Sequence, residues 1–144
     1  MSPTEAHRRF IAARVARLAT VDASGRPHLV PVVFAVERQT VYSAVDAKPK
    51  ATTSLRRLAN VRANPAVALL VDHYDDVDWS QLWWVRADGV GRVLDMGDRE
   101  SQRAIALLAE RYPQDRENPP PGPVLAVDVE RWSGWSARPV DGVS

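Results

Sequence analysis

Lys48 and Lys50, on either side of Pro49, are the two lysines among nineteen Lys and Arg residues. Lysine is a compact, mobile point charge suited to phosphate, whereas arginine prefers planar, bidentate partners. The pair is followed at once by Ala51-Thr52-Thr53-Ser54-Leu55-Arg56-Arg57-Leu58-Ala59-Asn60, which supplies three hydroxyls, two more cations and a helix start. A helix start offers unpaired backbone N–H groups and a dipole that favours an anion. The chemistry available here is the binding of a phosphorylated ligand. A solvated basic helix end has the same composition, and the cluster alone leaves both readings open.

Other chemistries find less support. The absence of cysteine removes thiol catalysis, thiolate metal sites and disulfides together. His7, His28 and His73 fall in a helix, a strand and a loop without metal-ligand spacing, so no metal is expected. Asp72, Asp75, Asp76 and Asp78 surround His73, but the glycine and terminal glutamate of a calcium loop are missing, and the segment reads as a solvated acidic turn. There is no Gly-x-Ser-x-Gly elbow, and Gly89-Val90-Gly91 lacks the third glycine and the following helix of a dinucleotide fingerprint. Any catalysis would therefore draw on a bound cofactor. Five tryptophans are many for 144 residues. Trp83 and Trp84 are adjacent on a predicted strand, so one points inward and the other outward, toward a subunit interface or a planar ligand.

These residues need elements to hold them. Ser2-Pro3 with Glu5 is a capping box, and it opens a short helix to about Arg14. Leu18–Val21, the turn Asp22-Ala23-Ser24-Gly25 and Pro27–Val36 read as a hairpin. Pro31 cannot donate to a ladder, so its strand should be an edge, bulged, or open on one side. Thr40–Val45 is a third strand, and a helix from about Thr53 to Ala63 stops at Asn64-Pro65. Ala66–Val71 is nearly continuous in apolar residues, hence a strand buried on both faces. Leu82–Leu94 is a long strand in which Gly89 and Gly91 suggest a bend. Asp98 caps a helix whose Ile105, Leu107, Leu108 and Tyr112 could cover a barrel end, Asn118–Pro123 is a stiff loop, and Val124–Ala137 is the last strand. The fold class is mainly β with short helices: one domain over 1–144, a six-stranded antiparallel barrel.

A formal net charge of +1 is far from that of a dedicated nucleic-acid binder, so any positive site has to be local. No apolar run approaches the ~20 residues that span a bilayer, and the first residues lack a signal-peptide core, so a cytoplasmic location is expected.

Arg17–Phe34 resembles the opening hairpin of the pyridoxamine-phosphate-oxidase-like split β-barrel superfamily. The segments Tyr42–Lys50, Leu55–Asn60 with Asn64-Pro65, and Trp84–Leu94 are similar to it as well. The Arg-rich, Lys-poor usage resembles that of a high-GC actinobacterium and points to the branch in which the deazaflavin coenzyme F420 replaces flavin. FMN is the alternative, and other branches hold haem. The resemblance implies homodimers with the cofactor at the subunit interface, no nucleic acid, and hydride transfer between the cofactor and an unsaturated or quinone-like small molecule. A non-catalytic carrier of the coenzyme is the rival reading. It also implies site residues. Arg57 matches the basic position that binds the cofactor phosphate, with Arg56, Lys50 and Lys48 beside it and Asn60 in the same element. Val30, Pro31 and Val32 match the segment whose backbone lines the ring, and Trp84 is the aromatic neighbour. The loop between Val45 and Leu55 is longer than the family pattern and the basic residue is Arg rather than Lys, so Lys50 rivals Arg57. Tyr42 and His28 are the candidate proton donors.

Overall fold

Every strand pairing in the computed structural model is antiparallel, and the described residues are 1–44, 51–120 and 123–138. In chain order the elements are α1 (Pro3–Ala12), β1 (Ala16–Val21), β2 (Pro27–Val32), β3 (Ala35–Glu37), β4 (Thr40–Ala44), α2 (Ala51–Ala63), β5 (Ala66–His73), a 3₁₀ turn (Trp79–Gln81), β6 (Trp83–Leu94), α3 (Arg99–Arg111), α4 (Pro113–Glu117) and β7 (Val124–Ser136). The seven strands form one sheet in the order β2-β1-β5-β6-β7-β4-β3.

Its two edge strands, β2 and β3, are consecutive in the chain and joined by Val33 and Phe34 alone. A two-residue link cannot span a flat seven-stranded sheet, because neighbouring strands lie about 4.8 Å apart. The sheet therefore curls until its edges meet without pairing, as a split barrel. The expected single strand Pro27–Val36 is thus two, and the described residues carry seven strands rather than six. Phe34 is fully buried at the crossover, and its backbone N–H donates to Tyr112 Oη at 3.2 Å. Pro31 is accommodated because β2 is an edge.

Local signals act as the chemistry demands. Ser2 Oγ accepts from the Glu5 N–H at 3.1 Å, starting α1. Asp22 Oδ1 accepts from the N–H groups of Ser24 and Arg26, both at 2.9 Å, and Gly25 supplies the left-handed residue (φ 89°) of the β1–β2 turn. The long strand β6 carries a bulge between Asp88 and Gly89. A Cβ on Gly89 would lie 2.3 Å from the backbone oxygen of Asp128, so the close approach of β7 requires glycine there.

The concave side of the sheet holds the core: Leu18, Val67, Leu69, Val71, Val85, Leu125 and Val127, closed by Phe10 of α1 and by Leu58 and Val61 of α2. Leu58 and Val61 are almost fully buried, which stabilises the seat of α2 by roughly 1.5–3 kcal/mol each. In contrast to the sequence expectation, α3 covers no barrel end. Ala104, Ile105 and Leu107 pack outside the sheet against Tyr42, Leu94, Val124 and Ala126, a second cluster. β5 is not buried on both faces either. Val67, Leu69 and Val71 enter the core, while Ala66 and Leu70 are exposed, because α3 stops short of the convex face of β5.

Candidate functional site

The helix α2 brings the predicted phosphate-binding arginines to one end of the barrel. Leu58 and Val61 turn inward, and the buried Asn60 donates from Nδ2 to Thr20 Oγ1 of β1 at 3.1 Å. Thr20 pairs with His28 of β2. Arg57 and Arg56 lie three and four residues before Asn60, so they project from the same side of α2 one turn earlier, near the β1–β2 edge. Arg57 is half-buried and Arg56 exposed. Lys48 and Lys50, the other half of the predicted cluster, lie outside the described residues.

β2 runs from this corner, where His28 pairs with Thr20, toward the start of β1, where Pro31 and Val32 pair with Arg17 and Ala16. Val32 is buried, Val30 is partly buried against the core, and Pro31 is exposed. His28 also points toward the barrel, and its Nδ1 is buried with no hydrogen-bond partner among the described residues. A buried polar atom without a partner costs about 1–3 kcal/mol, so such an atom marks a position where a ligand group can repay the loss. Cations on α2, an open β-edge and the orphaned imidazole nitrogen fit a phosphorylated planar cofactor. Arg56 and Arg57 would hold its phosphate and the β2 backbone would line its ring.

Two predicted site residues lie elsewhere. Tyr42 is buried beneath α3, where its hydroxyl donates to Glu100 Oε2 at 2.8 Å. Glu100 also accepts two hydrogen bonds from Arg92, whose Nε donates to Asp128 at 2.6 Å. Burial first, and then the Glu100 carboxylate, push the Tyr42 hydroxyl well above its usual range. The Arg92 guanidinium holds Glu100 down to about 2. This network fastens α3 to the sheet and gives Tyr42 no proton to release at neutral pH. Trp84 faces the convex side, opposite Asp72 of β5 and Trp135 of β7, whereas α2 sits on the concave side. Within one protomer the sheet separates Trp84 from Arg57.

Among the described residues no helix covers the convex face beside Trp84. Leu29 of β2 is 67% exposed, and Leu70, Val90 and Trp135 are exposed with it. Residue register places Leu29 beside Ala19 and then Ala68, an apolar row across three adjacent strands that ends at Asp88 of β6, while Leu70 stands between Arg17 and Arg86.

A second constellation was not legible in the sequence. At the other end of the sheet, beneath α1, a cavity of about 930 Å³ is lined by Arg8, Arg9, Arg14, Arg17 and Arg138 together with Trp83 and His73. Its members come from α1, the starts of β1 and β6, the end of β5 and the segment after β7, so no local run announces it. The acidic turn nearby binds itself. Asp75 Oδ1 accepts from the N–H groups of Val77 and Asp78, and Asp78 Oδ1 accepts from that of Ser80. Among the described residues no group of His, Asp or Glu could hold a metal ion, and no helix is long and apolar enough to cross a membrane.

Known proteins share this architecture. A conserved hypothetical protein of Mycobacterium tuberculosis superposes with a TM-score of 0.73 at 23% identity, over 100% of this chain and 92% of that one. A FAD-binding protein from Mesorhizobium loti superposes with a TM-score of 0.68 at 24% identity, over 93% and 92%. In sequence, the chain is 33% identical over 84 residues to the 5a,11a-dehydrotetracycline/5a,11a-dehydrooxytetracycline reductase of Streptomyces rimosus, a match that spans 58% of each protein. Residues 3–136 match the family described as pyridoxamine 5'-phosphate oxidase, and with nearly the whole chain matched this protein belongs to that family.

Proposed function

We propose that this protein is a coenzyme F420-dependent oxidoreductase that works as a homodimer. The observation that carries the reading is the corner built by α2 and β2, where Arg56 and Arg57 stand beside an open β-edge and the orphaned Nδ1 of His28. The family and the reductase from Streptomyces rimosus support redox chemistry on a small unsaturated molecule. When bound, the deazaflavin would supply the hydride. The chain's own part is to bind the phosphate through Arg57, with Arg56, Lys48 and Lys50 as neighbours, and to position the ring against Val30, Pro31 and Val32. It also keeps water from the reacting face. Trp84 joins such a site only from a second subunit, because the sheet lies between it and α2 in its own. The uncovered convex face is the surface on which the copies would meet.

Titration of the protein with F420 and with FMN, followed by absorption and fluorescence, tests the cofactor. Tight binding of F420 with weak binding of FMN is expected, and the reverse preference overturns the F420 assignment in favour of a flavin enzyme. Turnover of a panel of conjugated alkenes and quinones with reduced F420 then tests catalysis. F420 binding without turnover across the panel would make the protein a carrier.

A further inference from the structure

We propose that the cavity beneath α1 is a binding site for a small organic anion with a flat apolar body, of the aromatic carboxylate class. The charge distribution points there first. Five arginines line the cavity against two carboxylates, Glu5 and Asp72, in a chain whose formal net charge is +1. The cavity therefore concentrates a surplus of positive charge that the rest of the molecule lacks, and a concave surface focuses such a field.

The arginines are held in place and are not used up by one another. Arg8 and Arg9 share the single carboxylate of Glu5, at 2.5 and 2.8 Å. Arg14 directs one of its five N–H donors to the Arg111 carbonyl at 2.8 Å, lies over the Tyr112 ring at 4.7 Å, and forms no ion pair among the described residues. Arg17 faces Asp72 at 3.8 Å, and Arg138 donates to Ser80 Oγ at 2.8 Å and faces Asp78 at 3.9 Å, both ion pairs being long and exposed. The guanidinium groups thus keep donor capacity for a carboxylate, the group their planar forks match best.

The remaining wall sets the body of the ligand. A cavity of about 930 Å³ is far larger than an inorganic ion and falls within the ~300–1,000 Å³ range of sites for organic ligands. Ala12, Ala13, Val15 and the Trp83 indole supply apolar surface. Trp83 stacks with His73 (centroids 6.2 Å apart, planes 24° from parallel) and lies beneath Arg9 at 5.3 Å, so the wall already combines flat rings with cations, the surroundings that suit an aromatic anion. The site is independent of the F420 reading, since it occupies the opposite end of the sheet from α2.

Calorimetric titration of the cofactor-free full chain with 2-naphthoate, 2-naphthamide and inorganic phosphate tests the proposal. Naphthoate should bind at least tenfold more tightly than either comparator, and more weakly as salt rises from 20 to 200 mM by the screening of exposed charge. Arg14→Gln and Arg138→Gln should each weaken naphthoate binding roughly tenfold or more, with Arg14→Lys restoring part of it. Trp83→Leu should weaken naphthoate while leaving phosphate unchanged. Equal binding of the acid and its amide would overturn the anionic site. Phosphate binding as tight as naphthoate would overturn the organic one, and both results read on the unmodified protein. F420 binding is measured separately and is expected to be unaffected by Arg138→Gln, so failure of one reading does not carry the other.

Discussion

Arg57 and Tyr42 illustrate how differently two polar side chains in one small protein are employed. Arg57 sits half-buried at the barrel corner on a helix anchored by Asn60, so its removal should leave the fold in place. A hydrogen bond to a charged group is worth about 1.5–3 kcal/mol, and Arg57→Ala is expected to weaken cofactor binding roughly ten- to a hundredfold. Unchanged affinity, with circular dichroism intact, would leave the arginine a solvated surface charge. Tyr42 is committed to Glu100, and the buried Nδ1 of His28 has no hydrogen-bond partner among the described residues. General acid assistance is typically worth 10²–10⁴-fold, so Tyr42→Phe and His28→Ala should each keep kcat within about tenfold. A thousandfold loss in kcat at unchanged cofactor affinity would identify the mutated residue as the proton donor. Glu100 makes a pH prediction possible. Its carboxyl is held down to about 2 from an ordinary value of 4.5 by Arg92, so its stabilising contribution is complete above pH 4.5 and declines as pH falls toward 2. Melting curves should show wild type and Glu100→Gln converging over that interval, and a gap that stays constant would contradict the linkage.

Elements respond to neighbours that the sequence does not display. Gly89 and Gly91 both stand in the bend of β6, but their surroundings differ. A Cβ on Gly91 would meet the Val61 side chain at 2.8 Å, which can shift, while on Gly89 it would meet backbone. Gly91→Ala should cost about 1–3 kcal/mol as ordinary overpacking, and Gly89→Ala clearly more, by denaturant titration. Equal losses would mean that the bulge yields as easily as a valine. The bend itself was legible from the glycines, as were the capped α1 and the Asp22–Gly25 turn, because each depends on residues adjacent in the chain. The split at Val33-Phe34 was not, since nothing in those two apolar residues records that they join opposite edges of a sheet. The apolar run of β5 misled for a related reason. Uniform hydrophobicity does not reveal whether a second face is covered within one chain, and here Ala66 and Leu70 stay exposed. The family resemblance proposed Arg57 and Val30–Val32 as cofactor residues, but the pairing of Pro31 and Val32 with Arg17 and Ala16, away from the Thr20 end where α2 sits, needed the fold. The arginine cavity could not, because residues 8 to 17 and Arg138 meet only in the folded protein.

At the scale of the molecule, the convex face with Leu29, Leu70, Val90 and Trp135 is the feature most in need of a cover. Apolar patches of more than a few hundred Å² are rare on monomers, and an obligate dimer typically buries more than ~2,000 Å². Light scattering at micromolar concentration should give a dimer, and Leu29→Glu with Leu70→Glu should convert it to a folded monomer with weakened cofactor binding. A wild-type monomer would remove the shared site. The sheet order has a further consequence for how the protein comes into being. β7 is inserted between β6 and β4, and Thr40 waits for Asp128, 88 residues later, before its strand gains that neighbour. On the ribosome, β1, β2, β5 and β6 can assemble as they emerge, but the β3–β4 hairpin has no sheet to join until the last strand is made. Contacts of such long range are slow to form, and two open edges stay available to the wrong partner meanwhile. Residues 124–136 are therefore the wedge that converts two part-sheets into one, the step that commits the chain to its fold.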